Sequence, residues 1–193
     1  MRFGLLVCLV GALCAGCIFS PKRDDDGGGG PPPPPVYPKR DTPKNAILYL
    51  TLAWANRDSV RIDSVYADDY VGESLDLVSP GSVTLNFAKS DEVHSVGAMA
   101  VSQSVLKAEM DFGVQVGWVE GNYASDPPDW RYVQIPSFRI YVNDTVKGEY
   151  RAESPTAKII WTFEFTLRPD PVLSTPEEPV WEIVRWTESR ANL

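Results

Sequence analysis

The chain has 193 residues, a formal net charge of −8 at pH 7, 44% hydrophobic residues and 23% charged residues. This length suits one domain of about 100–200 residues with accessory segments, and the composition excludes a wholly disordered chain or a polytopic membrane protein. The acidic balance argues against nucleic acid as a partner, because that affinity comes mainly from Lys and Arg on phosphates. The single histidine excludes any site that needs two imidazoles. All three cysteines fall within the first 17 residues, so the rest of the chain has no disulfide framework and no zinc site built on thiolates. No metal site and no cofactor are expected.

The first 17 residues have the layout of a secretory signal: Arg2, an apolar stretch over 3–15, and small residues before Cys17. The ending Leu-Cys-Ala-Gly-Cys resembles the bacterial lipobox, with Cys14 where that motif usually has Leu. The resemblance implies that Cys17 is diacylated, which would anchor an extracytoplasmic protein in the cell envelope. Because Ile18 is not Asp, it also favours the outer membrane of a Gram-negative cell. The alternative is an uncleaved anchor, although the stretch only reaches the lower limit of about 17–25 residues for a spanning helix.

Residues 18–42 are predicted to be a tether. The runs Gly27–Gly30 and Pro31–Pro35 cannot bury a core. The glycines provide a flexible joint, and the prolines favour a stiff polyproline II spacer. The folded domain is therefore expected over residues 43–193.

Helices are predicted in the first half of this domain, over residues 43–56, 59–66 and 90–110. Thr42 and Pro43 have the pattern of an N-cap followed by proline at the first helical position. Asp58 or Ser59 can cap the second helix, and the Ser90 hydroxyl can cap the third.

After Met110 the apolar period changes from 3.6 residues to two, which is typical of strands. Strands are predicted over residues 114–119, 138–142, 146–150, 161–168 and 181–186. Helices followed by antiparallel strands predict an α+β fold, with the helices on one face of a curved antiparallel sheet.

The segment Tyr66-Ala67-Asp68-Asp69-Tyr70 follows two helices, and the last predicted strand reads Trp181-Glu182-Ile183-Val184-Arg185-Trp186. This arrangement resembles the nuclear transport factor 2-like (SnoaL-like) superfamily over about residues 43–190. The resemblance implies a cone in which a bent sheet wraps around the helices and encloses a pocket. The superfamily includes ketosteroid isomerase, dehydratases, cyclases and many non-catalytic proteins, so the fold alone does not identify a reaction.

Two functions are therefore expected as alternatives. The first is a membrane-tethered module that binds a small ligand or a protein partner. The second is an enzyme of isomerase or dehydratase type that acts on a small apolar substrate.

Four aromatic residues are candidates for lining the pocket: Tyr49, Trp54, Trp118 and Trp161. They suit a small apolar or aromatic ligand, and plain core packing is the alternative for each. His94 is the only candidate imidazole base, but its place in the first turn of a helix beside acidic residues favours a surface role.

The last strand is predicted to contribute to a homodimer or partner contact through the sheet. Val184 and Trp186 would lie on its outward face, as an apolar patch beside polar residues of the preceding strand. The alternative is that Trp186 points inward and Trp181 outward.

Overall fold

A computed structural model describes residues 33–76, 83–154 and 159–192. The chain divides into two units, Met1–Pro35 and Val36–Leu193, and the described residues belong almost entirely to the second. Cys17, the predicted signal and most of the predicted tether lie outside the described residues. Within those ranges, none of the helices has the length and apolar character needed to cross a membrane.

The helices of the described chain are α1 (Pro43–Ala55), α2 (Ser59–Val65) and α3 (Lys89–Val101). The predicted caps of the first two are confirmed, since Thr42 accepts from the Asn45 N–H and Asp58 from the Arg61 N–H, each at 3.1 Å. The predicted extension of the third helix to Met110 is wrong. Ser102 already has extended backbone angles, which end the helix.

The strands are β1 (Tyr66–Asp76), β2 (Val83–Ala88), β3 (Val105–Asp111), β4 (Val119–Gly121), β5 (Arg131–Ile135), β6 (Phe138–Asp144), β7 (Gly148–Ser154), β8 (Ile159–Pro169) and β9 (Trp181–Asn192). Six form one sheet in the order β2-β1-β9-β8-β5-β4, and β3-β6-β7 form a second. All pairings are antiparallel except β1 with β9, which is parallel. The fold is therefore α+β, as predicted, with a curved sheet that is mixed rather than wholly antiparallel.

The strand predicted over 114–119 is absent, and a short 3₁₀ turn, Gln115–Gly117, occupies most of that segment. Gly113 adopts a positive φ of 66°, which turns the chain out of the extended conformation. Phe112 and Trp118 are buried on either side of the turn, and the Trp118 indole donates to the Phe112 carbonyl at 2.8 Å. The apolar alternation of this segment therefore belongs to a loop in which only the residues at the two ends, Phe112 and Trp118, are buried.

The hydrophobic core lies between the helices and one face of the six-stranded sheet, which we call the inner face. Ile47 and Leu50 of α1 are fully buried against it, as are Phe163 and Phe165 of β8. Phe163 also contacts Phe138 of the second sheet, with ring centroids 3.9 Å apart. The core therefore connects the helices with both sheets.

The outward orientation predicted for Val184 and Trp186 is wrong. The Trp186 ring contacts those of Phe163 and Phe165, with centroids 5.6 and 5.1 Å away, so it lies on the inner face. Val184 is only 2% exposed. The register between β8 and β9 shifts at this point, and the extra residue allows both Ile183 and Trp186 to face the core. The predicted apolar patch for a dimer contact is therefore not on the surface.

The opposite face of the sheet carries an ion-pair network. Arg168 bonds Asp69 and Glu182, each at 2.7 Å, and Asp126 pairs with Arg185. The guanidinium groups of Arg168 and Arg185 both lie over the Trp130 ring. These contacts give the outer face a charged, internally paired surface.

The folded region begins before the predicted boundary at residue 43. The Tyr37 hydroxyl donates to Asp58 at 3.0 Å, and its ring lies 5.1 Å from that of Tyr49. The Trp181 N–H donates to the Arg40 carbonyl at 2.7 Å. The last residues of the predicted tether are thus bound to α1, α2 and the start of β9.

Candidate functional site

Polar side chains gather on the inner face where β9 runs between β1 and β8. Trp186 lies opposite Phe165, and Glu188 opposite Phe163, so the polar glutamate shares a face with buried aromatic rings. On β1, Gly72 is the neighbour of Trp186 and Ser74 the neighbour of Glu188. Ser74 hydrogen-bonds the Glu188 carboxylate. The inner face therefore changes from apolar to polar along the last strand.

A carboxylate from α3 meets this face through a tyrosine. The Tyr70 hydroxyl donates to Glu92 Oε1 at 3.2 Å. The Tyr66 ring lies 4.2 Å from that of Tyr70, and its hydroxyl donates toward the Tyr70 hydroxyl. Gly72 leaves space for this arrangement, because a Cβ there would stand 2.6 Å from the Tyr70 oxygen. The chain thus positions Tyr70 between the sheet and α3.

We call the resulting set the inner polar cluster: Tyr66, Tyr70, Ser74, Glu92, Tyr150, Trp186 and Glu188. Tyr150 comes from β7 of the second sheet, and with 37% of its side chain exposed it forms the rim. Partial burial and then the Glu188 charge raise the pKa of Tyr150 to about 12, while Arg190 lowers it. Four structural elements therefore contribute to one group of polar atoms.

The carboxyl groups of the cluster are held in an environment that favours their protonated forms. Burial raises the pKa of Glu92 to about 7; the Tyr70 hydrogen bond lowers it, and the charges of Glu188 and Asp91 raise it further. Burial also raises the pKa of Glu188, against the effect of Ser74. In the described part of the chain, no cationic side chain acts on either carboxyl group. A group with a pKa near 7 can both donate and accept a proton at neutral pH.

The indole N–H of Trp186 is buried and has no hydrogen-bond partner in the described structure. Trp118 is different, since its indole donates to the Phe112 carbonyl. A buried donor without a hydrogen-bond partner costs about 1–3 kcal/mol of folding free energy. A ligand with an acceptor atom at this N–H would remove that cost.

The residues predicted to line the pocket have separate surroundings. Tyr49 is buried, and its hydroxyl interacts with Ser64 at 3.1 Å and with Arg61 at 3.2 Å. Trp118 is buried beside Phe112, and Trp54 packs against the core in partly buried form. The backbone of Trp161 pairs with Arg190 in β8 and β9, but its side chain lies outside the described atoms. Ligand binding by these four residues stays a prediction.

An open groove of about 680 Å³ shares Tyr70 with the inner polar cluster. Asp63, Asp68 and Lys89 are among the residues that line it. The Lys89 ammonium group forms salt bridges with both aspartates. His94 also lines this groove and is exposed, which agrees with the surface role predicted for it. Within the described ranges, no group of three or more His, Cys, Asp and Glu side chains is arranged to hold a metal ion.

Glu92 should make stability depend on pH. Its folded pKa of about 7 lies above the ordinary value of 4.5, so the folded state retains a proton that the unfolded chain releases. This contribution is complete below about pH 4.5 and is lost as pH rises through 7. We expect Glu92→Gln to reduce the fall in melting temperature between pH 5 and pH 8, measured by circular dichroism. Glu120→Gln, at an exposed position of β4, is the control, and an unchanged pH dependence in Glu92→Gln would contradict the assignment.

Sequence comparison gives neither a matching protein-family model nor a matching curated protein. Solved structures do match. An NTF2-like protein of unknown function in nutrient uptake from Rhodospirillum rubrum has a TM-score of 0.50 and 13% identity, over 77% of this chain and 98% of the other. A conserved protein from Planctomyces limnophilus has a TM-score of 0.49 and 15% identity, over 78% and 94%. A ketosteroid isomerase-like protein from Erwinia carotovora atroseptica has 0.41 and 15%, over 76% and 92%. On the Rhodospirillum rubrum match, the domain has the NTF2-like fold that the sequence predicted.

Proposed function

We propose that this domain is a small-ligand-binding module that a lipid anchor holds in the cell envelope. The observation that carries the proposal is the inner polar cluster, in which a buried indole N–H without an acceptor adjoins aromatic rings and half-buried carboxyl groups. Binding sites for small molecules combine apolar walls with a few convergent polar groups, and the inner face provides both.

The cluster is more suited to binding than to supporting the fold. Trp186 has apolar neighbours on one side, Phe163 and Phe165, and polar neighbours at Ser74 and Glu188. A purely structural core would place an apolar residue at Glu188, because burying a carboxyl group without a strong partner is costly. A ligand with an aromatic part and a hydrogen-bonding group would satisfy both halves of the site.

Ligand binding can be tested with benzyl alcohol as a neutral aromatic probe. We expect the full-length protein to bind it saturably in calorimetric titration, because its ring matches the aromatic wall and its oxygen can accept from Trp186. Trp186→Phe keeps an aromatic ring but removes the donor, so its affinity should fall about 5- to 10-fold, the equivalent of one hydrogen bond. The matched control is Trp130→Phe on the outer face. No saturable binding, or equal affinity in Trp186→Phe, would contradict the proposed site.

The anchor makes a separate prediction. Cys17→Ser should abolish incorporation of labelled palmitate and leave an unprocessed precursor, because it removes the thiol that carries the diacylglyceryl group. Stable membrane attachment needs more than one acyl chain. The variant carries none, so it should not be held in the membrane by lipid. Cys14→Ser, three residues earlier, should still be labelled. Labelling that survives Cys17→Ser would contradict the lipobox assignment.

A second candidate function is acid–base catalysis of isomerase type. It is favoured by Glu92, whose pKa of about 7 suits proton transfer, and by its contact with the Tyr70 hydroxyl, a donor that stays protonated. A small β,γ-unsaturated ketone is a suitable test substrate. If the domain is an enzyme, conversion should be measurable and should fall about 10²-fold or more in Glu92→Gln. Absence of conversion in the wild-type protein would eliminate this candidate reaction and leave the binding function.

A further inference from the structure

The two carboxyl groups of the inner polar cluster differ from the other buried carboxylates of the described structure. Glu182 pairs with Arg168 at 2.7 Å, and Asp126 pairs with Arg185. Asp144 accepts from two backbone N–H groups, at 2.9 and 3.1 Å. Glu92 and Glu188 have only the hydroxyl groups of Tyr70 and Ser74 as donors, and no described cation acts on them. Within the described structure, these two carboxyl groups therefore lack the cationic or backbone partners that the other three carboxyl groups have.

Aromatic rings surround these carboxyl groups. Tyr70 and Tyr66 lie beside Glu92, while Trp186 precedes Glu188 on the same face of β9. The faces of such rings carry partial negative charge and attract cations, with Trp the most effective. Carboxylates and aromatic faces together are a common environment for an ammonium group.

The Trp186 indole provides an independent indication of a ligand. Its ring contacts Phe165, directly opposite, and also Phe163, which is the residue opposite Glu188. Its Nε1 atom is buried and has no hydrogen-bond partner in the described structure. The same face of β9 therefore holds an unsatisfied donor two residues before Glu188.

We infer that the ligand of the inner polar cluster is a small aromatic or apolar amine, with its ammonium group between Glu92 and Glu188. The inference rests on the proposed binding function and adds the charge of the ligand to it. The ammonium group donates to the two carboxylates and lies against the rings of Tyr70 and Trp186. An acceptor atom elsewhere in the ligand receives the Trp186 N–H.

Amine binding should release a proton near neutral pH. The groups that face Glu92 are Tyr66 and Tyr70 from β1 and Glu188 from β9, with Asp91 on its own helix. At the far side of the cluster, the charges of Glu188 and Arg190 act on Tyr150. None of the groups acting on Glu92 is a cation that an ammonium ion would have to displace. Binding therefore ionises the Glu92 carboxyl and releases its proton to the buffer.

The experiment compares benzylamine with benzyl alcohol, which has the same ring but no charge, in calorimetric titrations of the full-length protein at pH 7. We expect benzylamine to bind at least 10-fold more tightly. Glu92→Gln and Glu188→Gln should each remove most of that difference between the two probes. Glu164→Gln, a carboxylate that bonds Tyr123 and Gln134, is the matched control and should behave as wild type.

Titrating benzylamine in two buffers of different ionisation enthalpy measures how many protons binding releases. This release should be absent in Glu92→Gln. Equal affinity for the two probes, or a preference that survives both substitutions, would overturn the amine assignment while the proposed binding function stands. If neither probe binds, both the amine assignment and the proposed function fail.

Discussion

Replacing Phe163 with alanine should lower the free energy of unfolding by about 3–5 kcal/mol. The side chain is 1% exposed and is surrounded by other rings: its centroid lies 3.9 Å from Phe138, 6.0 Å from Phe112 and 5.6 Å from Trp186. These neighbours belong to both sheets and to the loop after β3, so they cannot all move to fill the cavity. The change should be measured by urea unfolding.

Leu173→Ala is the control for Phe163→Ala. Leu173 lies in the loop before β9 and is 57% exposed, so its truncation should change stability by less than about 0.5 kcal/mol. A loss below about 1.5 kcal/mol in Phe163→Ala would mean that the two sheets do not share the core described here.

Substituting Gly72 with alanine should disrupt the inner polar cluster from the backbone side. The new methyl group would stand 2.6 Å from the Tyr70 oxygen, which is closer than the two atoms can approach, and at a tight 3.3 Å from Phe87 Cβ. The Tyr70 ring must move, which breaks its hydrogen bond to Glu92. We expect a loss of about 1–3 kcal/mol in unfolding free energy, together with loss of benzylamine binding.

Gly97→Ala is the matched substitution in α3. The added methyl group there meets Ser59 at an ordinary 3.7 Å, so alanine should be tolerated, and the variant is a control in which alanine also favours the helix. Unaltered stability and benzylamine binding in Gly72→Ala would contradict the close approach of Tyr70 to the sheet.

Local patterns in the sequence predict much of the fold. The caps at Thr42 and Asp58 and the alternation along β6 and β8 depend on neighbouring residues, and the structure has all of them. The strand predicted over 181–186 is also present, within β9. The apolar spacing of residues 105–110 fits a helical period, which predicts a continuation of the third helix. They form β3 instead, since they pair with β6 and a register irregularity after Val105 disguises the period of two.

The site itself could be predicted only in part. The aromatic-Asp-Asp-aromatic segment, which carries the family resemblance, contains Tyr66 and Tyr70. The four residues predicted to line a pocket are not members of the inner polar cluster. The meeting of Glu92 with Glu188 depends on a helix and a strand far apart in sequence, and no local spacing indicates it. The face of Trp186 depends on a register shift next to Val184, which reverses the orientation that simple alternation predicts.

The most direct test of the inner polar cluster is to observe its indole N–H by NMR during titration with benzylamine and with benzyl alcohol. In ¹H–¹⁵N spectra, the Trp186 indole signal should shift saturably with each probe that binds, because its unpartnered N–H gains an acceptor. The Trp118 indole is already bonded to the Phe112 carbonyl and should not respond. A saturable shift at Trp118 with none at Trp186, or no shift at either, would contradict a ligand site on this part of the inner face.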